Sequence, residues 1–266
     1  MKFAYIGMDL FLPALQILLD ENQELVELFT CETDDLTEFH DGVTALAVAR
    51  GVPVTTERIR VADFKRLQEK GCDFAICAGY YYKIPVYPEL PTVNIHPSLL
   101  PYGRGGWPMP LDILNCRKTS GVTIHKIAEG FDTGDILLQR AFDLDAAETL
   151  ETLMNKVYAL LPEMLHTLVT DFDSLYRNAR PQGDGVYLPM PEKEMYTITP
   201  DTPFEKAERI LRAFYGYDCY YQTDSAEYRL IRAKAVRTAQ ECREAVCFPI
   251  KDGYVVCRKN DVLQMK

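Results

Sequence analysis

Three features of the 266-residue chain predict a doubly wound α/β fold, a mostly parallel, Rossmann-like sheet with helices on both faces. A short apolar strand at Lys2–Ile6 runs through Gly7 into a helical pattern at Leu12–Leu19, the first βα unit of such a sheet. Apolar strand runs and amphipathic helices then alternate as far as Leu168. The strand ending at Val93-Asn94-Ile95-His96 is stopped by Pro97 and Pro101 and opened by Gly103, Gly105 and Gly106. In open α/β sheets such strand ends are where ligands bind.

Taken in order, Glu24–Thr30 predicts the second strand, 33–41 an acidic loop, 42–50 a short helix and Val52–Thr55 a brief extended piece. Val61–Lys70 predicts a helix, Phe74–Ala78 a buried strand and 79–84 the loop after it. Trp107–Cys116 reads as a helix, Val122–Ile127 and Ile136–Phe142 as strands, and Thr149–Leu168 as a long amphipathic helix over one sheet face. Three domain-level pieces follow: a catalytic domain over 1–180, a Pro- and Gly-rich linker over 181–200, and a small β-rich domain over 201–266 that resembles a truncated OB fold. The last opens with a helix at Thr202–Phe214, where Thr202 and Glu205 have capping-box spacing. Residues 1–185 are expected to fold without the tail.

Composition narrows the function. There is no apolar run of about 18 residues, so no membrane span is predicted, and residues 1–30 lack the pattern of a signal peptide. Cys31, Cys72, Cys77, Cys116, Cys219, Cys242, Cys247 and Cys257 form no CxxC pair and read as reduced thiols of a cytoplasmic protein, with a disulfide among the last three left open. The net charge is −10. Residues 186–266 carry 13 basic and 12 acidic side chains, which leaves 16 and 27 for residues 1–185. An acidic body argues against a broad nucleic-acid footprint. There is no GxGxxG for a dinucleotide and no GxSxG elbow for a nucleophilic serine.

The chemistry concentrates between Thr92 and Asp135. Asn94 and His96, two apart on a strand, face the same side, while Ile95 faces the core. With Asp132 they supply an amide donor for an oxyanion, an imidazole, and a carboxylate to orient it, a set suited to acyl transfer to an incoming amine. The plainer reading of the same residues is a strand end followed by an Asp-Gly turn. His125, alone on the next strand, reads first as structural.

The blocks NIHPSLLPYGRGG and GVTIHKIAEGFDTGDIL resemble the folate-dependent formyltransferase family, which includes methionyl-tRNA formyltransferases, glycinamide ribonucleotide transformylases and nucleotide amino-sugar N-formyltransferases. The likeness covers residues 1–170, AGYYYKIP (78–85) is similar to the family's folate loop, and ILRAFYGY (210–217) to a piece of the tRNA enzymes' second domain. The resemblance implies transfer of a formyl group from 10-formyltetrahydrofolate, without a metal. It implies catalytic roles for Asn94, His96 and Asp132, a donor site at Tyr82, Lys83, Ile84, Glu129 and Gly130, and a cis Leu100–Pro101 bond. For the acceptor, CETDDLTEFHDG (31–42) has no Lys or Arg where the tRNA enzymes carry a basic insert. That departure, with His125, predicts a small amine such as a nucleotide-linked amino sugar rather than tRNA, with Arg104 and Trp107 as acceptor contacts, and neither DNA nor membrane as a partner. Methionyl-tRNA, and water in a hydrolase of the same folate, are the alternatives.

Overall fold

The computed structural model describes residues 1–238 and 245–265. The chain runs β1 (Lys2–Gly7), α1 (Leu12–Asp20), β2 (Glu24–Phe29), α2 (Asp41–Val48), β3 (Val54–Thr55), α3 (Val61–Glu69), β4 (Phe74–Ala78), β5 (Thr92–His96), β6 (Tyr102–Arg104), α4 (Pro108–Leu114), β7 (Thr119–Lys126), β8 (Ile136–Asp143), α5 (Leu150–Thr170) and α6 (Phe172–Arg177). It continues through β9 (Val186–Tyr187), β10 (Thr197–Ile198), α7 (Phe204–Ala213), β11 (Cys219–Gln222), β12 (Glu227–Leu230), β13 (Ala233–Val236), β14 (Val246–Ile250), β15 (Gly253–Cys257) and β16 (Val262–Met265).

Two compact units result: Met1–Gly106 with Ser120–Phe142 and Lys156–Leu188, and Trp107–Thr119 with Asp143–Asn155 and Pro189–Lys266. The first holds a seven-stranded sheet in the order β3-β2-β1-β4-β5-β7-β8. It is parallel from β3 to β5, and β7 runs antiparallel to β5. Every residue of β4 is buried, as expected of a central parallel strand covered on both faces. Phe3 and Phe74 stack across β1 and β4 with centroids 5.9 Å apart. Phe64 and Leu67 of α3 join Ile6, Phe29, Ile84 and Leu90 in one apolar cluster, which anchors the far end of the loop after β4.

The second unit holds the sheets β10-β11-β12-β16 and β13-β15-β14. The run Tyr228–Val236 holds two strands, because β12 pairs with β16 and β13 with β15. The predicted capping box at Thr202 does not form. Thr202 Oγ1 instead accepts the backbone N–H of Thr199 at 2.9 Å, and α7 starts after Pro203. Of the three cysteines for which a disulfide was left open, Cys247 is disulfide-bonded and Cys257 is free, while Cys242 lies outside the described residues. Among the described residues no helix is long and apolar enough to cross a membrane.

In the second unit α4 packs on α7, and Pro108 through Ile113 are all buried. A fragment ending at residue 188 leaves α4 without that cover. It is expected to bind a dye specific for exposed apolar surface and to lose a cooperative thermal transition, as calorimetry and dye fluorescence would read. A fragment melting like the full chain would contradict this.

Candidate active site

Strand β5 is held between β4 and β7, with Asn94 opposite Cys77 on one side and opposite His125 on the other. Val93 and Ile95 bury into the core, so Asn94 and His96 share the opposite face. His125 lies on that face too, because antiparallel pairing sets it directly across from Asn94. The turn after β7 brings in Asp132. Its Oδ1 is 3.3 Å from Asn94 Nδ2, 3.7 Å from His96 Nδ1 and 3.4 Å from His125 Nε2. The three residues expected to work together therefore converge on one carboxylate oxygen, and a fourth stands with them. Thr123-Ile124-His125 repeats the polar–apolar–polar alternation of Asn94-Ile95-His96, but only the pairing of the two strands puts the imidazoles on one face.

Backbone carbonyls fix the imidazole tautomers, because a carbonyl can only accept. His96 Nε2–H donates to Gly103 O at 2.7 Å, which leaves the Nδ1 lone pair facing Asp132. His125 Nδ1–H donates to Lys126 O at 2.7 Å, so its Nε2 accepts from Asn94 Nδ2, 3.2 Å away. Burial lowers the His96 pKa below its usual value, with Asp132 pulling the other way. For Asp132 burial acts upward, but His96, His125 and the Gly105 N–H override it and bring the carboxyl down to about 2. At neutral pH the site thus holds a neutral His96 beside a carboxylate, which offsets part of the burial cost when Nδ1 takes up a proton.

These shifts carry a stability signature. A folded pKa of about 2 against an ordinary 3.8 gives Asp132 a stabilising share that is present above about pH 4 and lost as pH falls toward 2. By the usual linkage that share is about 2 kcal/mol. The lowered His96 acts in the same sense at higher pH: its share is present above 6.5 and lost as pH falls below it. Denaturant unfolding at pH 7, 5 and 3 is expected to show both declines, and Asp132→Asn to remove the lower one.

Asp132 has a left-handed backbone, φ 53°, and two contacts secure it. Gly105 N–H donates to Oδ2 at 2.8 Å, and Gln182 Nε2 donates to the Asp132 carbonyl at 2.9 Å. The Leu100–Pro101 bond that delivers the Gly103–Gly105 loop is cis.

The expected donor residues are also adjacent. Lys83 Nζ is 3.7 Å from Glu129 Oε2, which ties the loop after β4 to the turn before Asp132. Ile84 is buried, while Tyr82 stands exposed with the Arg58 guanidinium 5.8 Å from its ring centroid. Among the described residues the backbone groups of Tyr82, Lys83 and Ile84 make no hydrogen bond, and Gly130 O accepts from Thr133 Oγ1 at 3.0 Å. The two residues expected at the acceptor are differently placed. Arg104 gives its Nε and Nη2 to Gln182 Oε1 and Nη2 to Gly183 O. Trp107, in the second unit, packs against Phe214 and Tyr217 with centroids 5.5 and 4.9 Å away. Among the described residues no group of His, Cys, Asp and Glu has the geometry to hold a metal ion.

Residues 41–169 match the family model for formyl transferase. Over 179 residues the chain is 33% identical to the methionyl-tRNA formyltransferase of Ehrlichia ruminantium (strain Gardel), a match covering 65% of this chain and 58% of that one. The segment 41–169 is a formyl transferase domain, and the chain is similar to the folate-dependent formyltransferases. A longer match, 28% over 228 residues, joins 83% of it to 71% of the methionyl-tRNA formyltransferase of Thermodesulfovibrio yellowstonii. The chain spans about half the length of several of the curated relatives it matches, 58% of one and 47% of another. The fold is shared with HypX from Aquifex aeolicus in complex with tetrahydrofolic acid, at a TM-score of 0.72 and 19% identity over 100% of this chain and 46% of that one. It is shared as well with the methionyl-tRNA formyltransferase from Clostridium thermocellum, at 0.63 and 19% over 100% and 99%.

These relatives correct the expectation of a small amine in place of tRNA, since several of the curated proteins the chain matches are methionyl-tRNA formyltransferases. The acidic loop does turn charge outward, since Glu32, Asp34, Asp35 and Asp41 are exposed, but that charge does not by itself name the acceptor. Burial acts upward on Asp34, but the backbone N–H groups of Leu36, Thr37 and Glu38 bring its carboxyl down to about 2, so it stays ionised. Glu38 is raised by burial, and by nearby Asp34, to about 7.

Proposed function

We propose that this protein transfers the formyl group of 10-formyltetrahydrofolate to the α-amine of methionyl-tRNA. The observation that carries the reading is the convergence of Asn94, His96 and Asp132 at the end of β5. The names of the curated relatives support the acceptor.

The donor fits the residues present. The free backbone edge at Tyr82, Lys83 and Ile84 offers alternating donors and acceptors to a pterin, and Lys83 and Glu129 hold the facing turn beside it. When bound, the folate supplies a formyl carbon activated by its N10. Asn94 Nδ2–H turns from Asp132 or His125 to the formyl oxygen as negative charge gathers there. As the amine bonds to the formyl carbon, His96 accepts its proton at Nδ1 and Asp132 stabilises the imidazolium; the proton then passes to N10 as the bond from N10 to the formyl carbon breaks and tetrahydrofolate leaves. Gly103 O keeps Nε2–H in place throughout, so that Nδ1 remains the basic atom.

The acceptor is tested by incubating the enzyme with 10-formyltetrahydrofolate and, separately, methionyl-tRNA, free methionine and buffer alone. Formyl-methionyl-tRNA alone is expected. Equal turnover in buffer would mean hydrolysis, and turnover with free methionine but not the charged tRNA would contradict the acceptor.

A further inference from the structure

The segment 180–188 lies across both loops that build the site. Arg180 and Ile136 exchange backbone hydrogen bonds of 2.8 and 2.9 Å. Val186 N–H reaches Pro101 O at 2.9 Å and Leu188 N–H reaches Arg104 O at 2.7 Å, so that β9 pairs with β6. Between these anchors stands Gln182, the one side chain in the segment that bonds to both loops. Its Nε2 donates to Asp132 O at 2.9 Å and to Gly134 O at 2.5 Å. Its Oε1 accepts from Arg104 Nε at 3.1 Å and from Nη2 at 3.0 Å. Both ends of the amide are thereby used, and the Oε1/Nε2 assignment follows from the partners, since carbonyls only accept and a guanidinium only donates.

We propose that Gln182 is a positioning residue for the reaction: one amide cross-links the Asp132 turn to the β6 loop and holds the carboxylate against His96. The need for such a clamp is visible in the turn itself. Asp132 occupies the left-handed region, which a non-glycine residue holds only when its surroundings enforce it. The side chain has its own tie, from Gly105 N–H, but that donor belongs to the loop that Arg104 anchors to Gln182. Release of Gln182 therefore loosens both the carboxylate's backbone and the loop that donates to it. The same bonds account for Arg104, whose guanidinium is committed to the clamp rather than to an acceptor.

The inference rests on the formyl-transfer reading only for its kinetic part. Gln182→Met keeps the bulk and loses every bond of the amide. Gln182→Glu keeps the Arg104 pairing and places oxygens against two carbonyls, so it loses only the donations to the Asp132 turn. Both variants are expected to lower kcat by about 10–100-fold with KM for the folate little changed, as a displaced catalytic group does. The second readout needs no turnover. The His96 ring faces Asp132 and His125, and Asp132 faces the Cys77 thiol as well. Retreat of the carboxylate is expected to lower the His96 titration midpoint in histidine NMR of both variants. A Gln182→Glu enzyme with wild-type kcat and an unmoved His96 midpoint would overturn the proposal, because Arg104 anchoring alone would then suffice. Failure of both variants to fold would overturn it too, by making Gln182 a folding determinant. If the wild type transfers no formyl group, the function fails while the NMR comparison still decides the clamp.

Discussion

Asp132→Asn is expected to lower kcat for formyl transfer by ~10²–10⁴-fold with the fold intact. The side chain keeps its size and can still accept from Gly105 N–H. What it loses is the charge that makes proton uptake at His96 Nδ1 favourable at a site where burial opposes it. The new amide NH2 also faces Asn94 Nδ2, which itself donates. The loss should appear in kcat more than in KM, because the imidazolium exists only once the amine has given up its proton. Stopped-flow or discontinuous assays at pH 7 to 9 would measure it. Wild-type kcat in the variant would remove Asp132 from the mechanism.

The second large effect is expected from Gly105→Ala. Gly105 has φ +119°, a conformation that side-chain-bearing residues rarely adopt, and an added Cβ would come within 2.1 Å of Leu188 O. That oxygen belongs to the backbone of the segment crossing the site, which cannot move aside as a flexible side chain can. Strain and overpacking together should cost about 2–4 kcal/mol. The shift also turns the Gly105 N–H away from Asp132 Oδ2. Activity should therefore fall together with the thermal midpoint, and calorimetry beside a kinetic assay would show both. A variant with unchanged Tm would mean that the loop relaxes freely and is not held as described.

Much of this was legible because periodicity carries the information. The apolar runs of β1, β2 and β4 mark a parallel core, and the two-residue spacing of Asn94 and His96 assigns them one face. Asp132 was legible through the glycine-rich turn around it. What stayed hidden depends on pairing between distant segments. His125 joins the site only through the antiparallel register of β5 and β7, which a single strand's pattern does not encode. Strands β6 and β9 are too short to have a period, and each exists through its pairing with the other. Gln182 lay within a polar stretch that composition describes as linker, although its amide faces two loops from elsewhere in the chain. The acidic segment failed for a different reason: the charge of one loop does not by itself name the acceptor.

The most direct measurement follows label from 10-formyltetrahydrofolate carrying an isotopic formyl group into the amine of methionyl-tRNA, with wild type and His96→Ala compared at equal folded concentration. The label is expected in the N-formyl amide with the wild type and to fall ~10²-fold or more with the variant. Equal transfer by the two proteins, or none by the wild type, would contradict a formyl-transfer centre built on His96 Nδ1 and the Asp132 carboxylate.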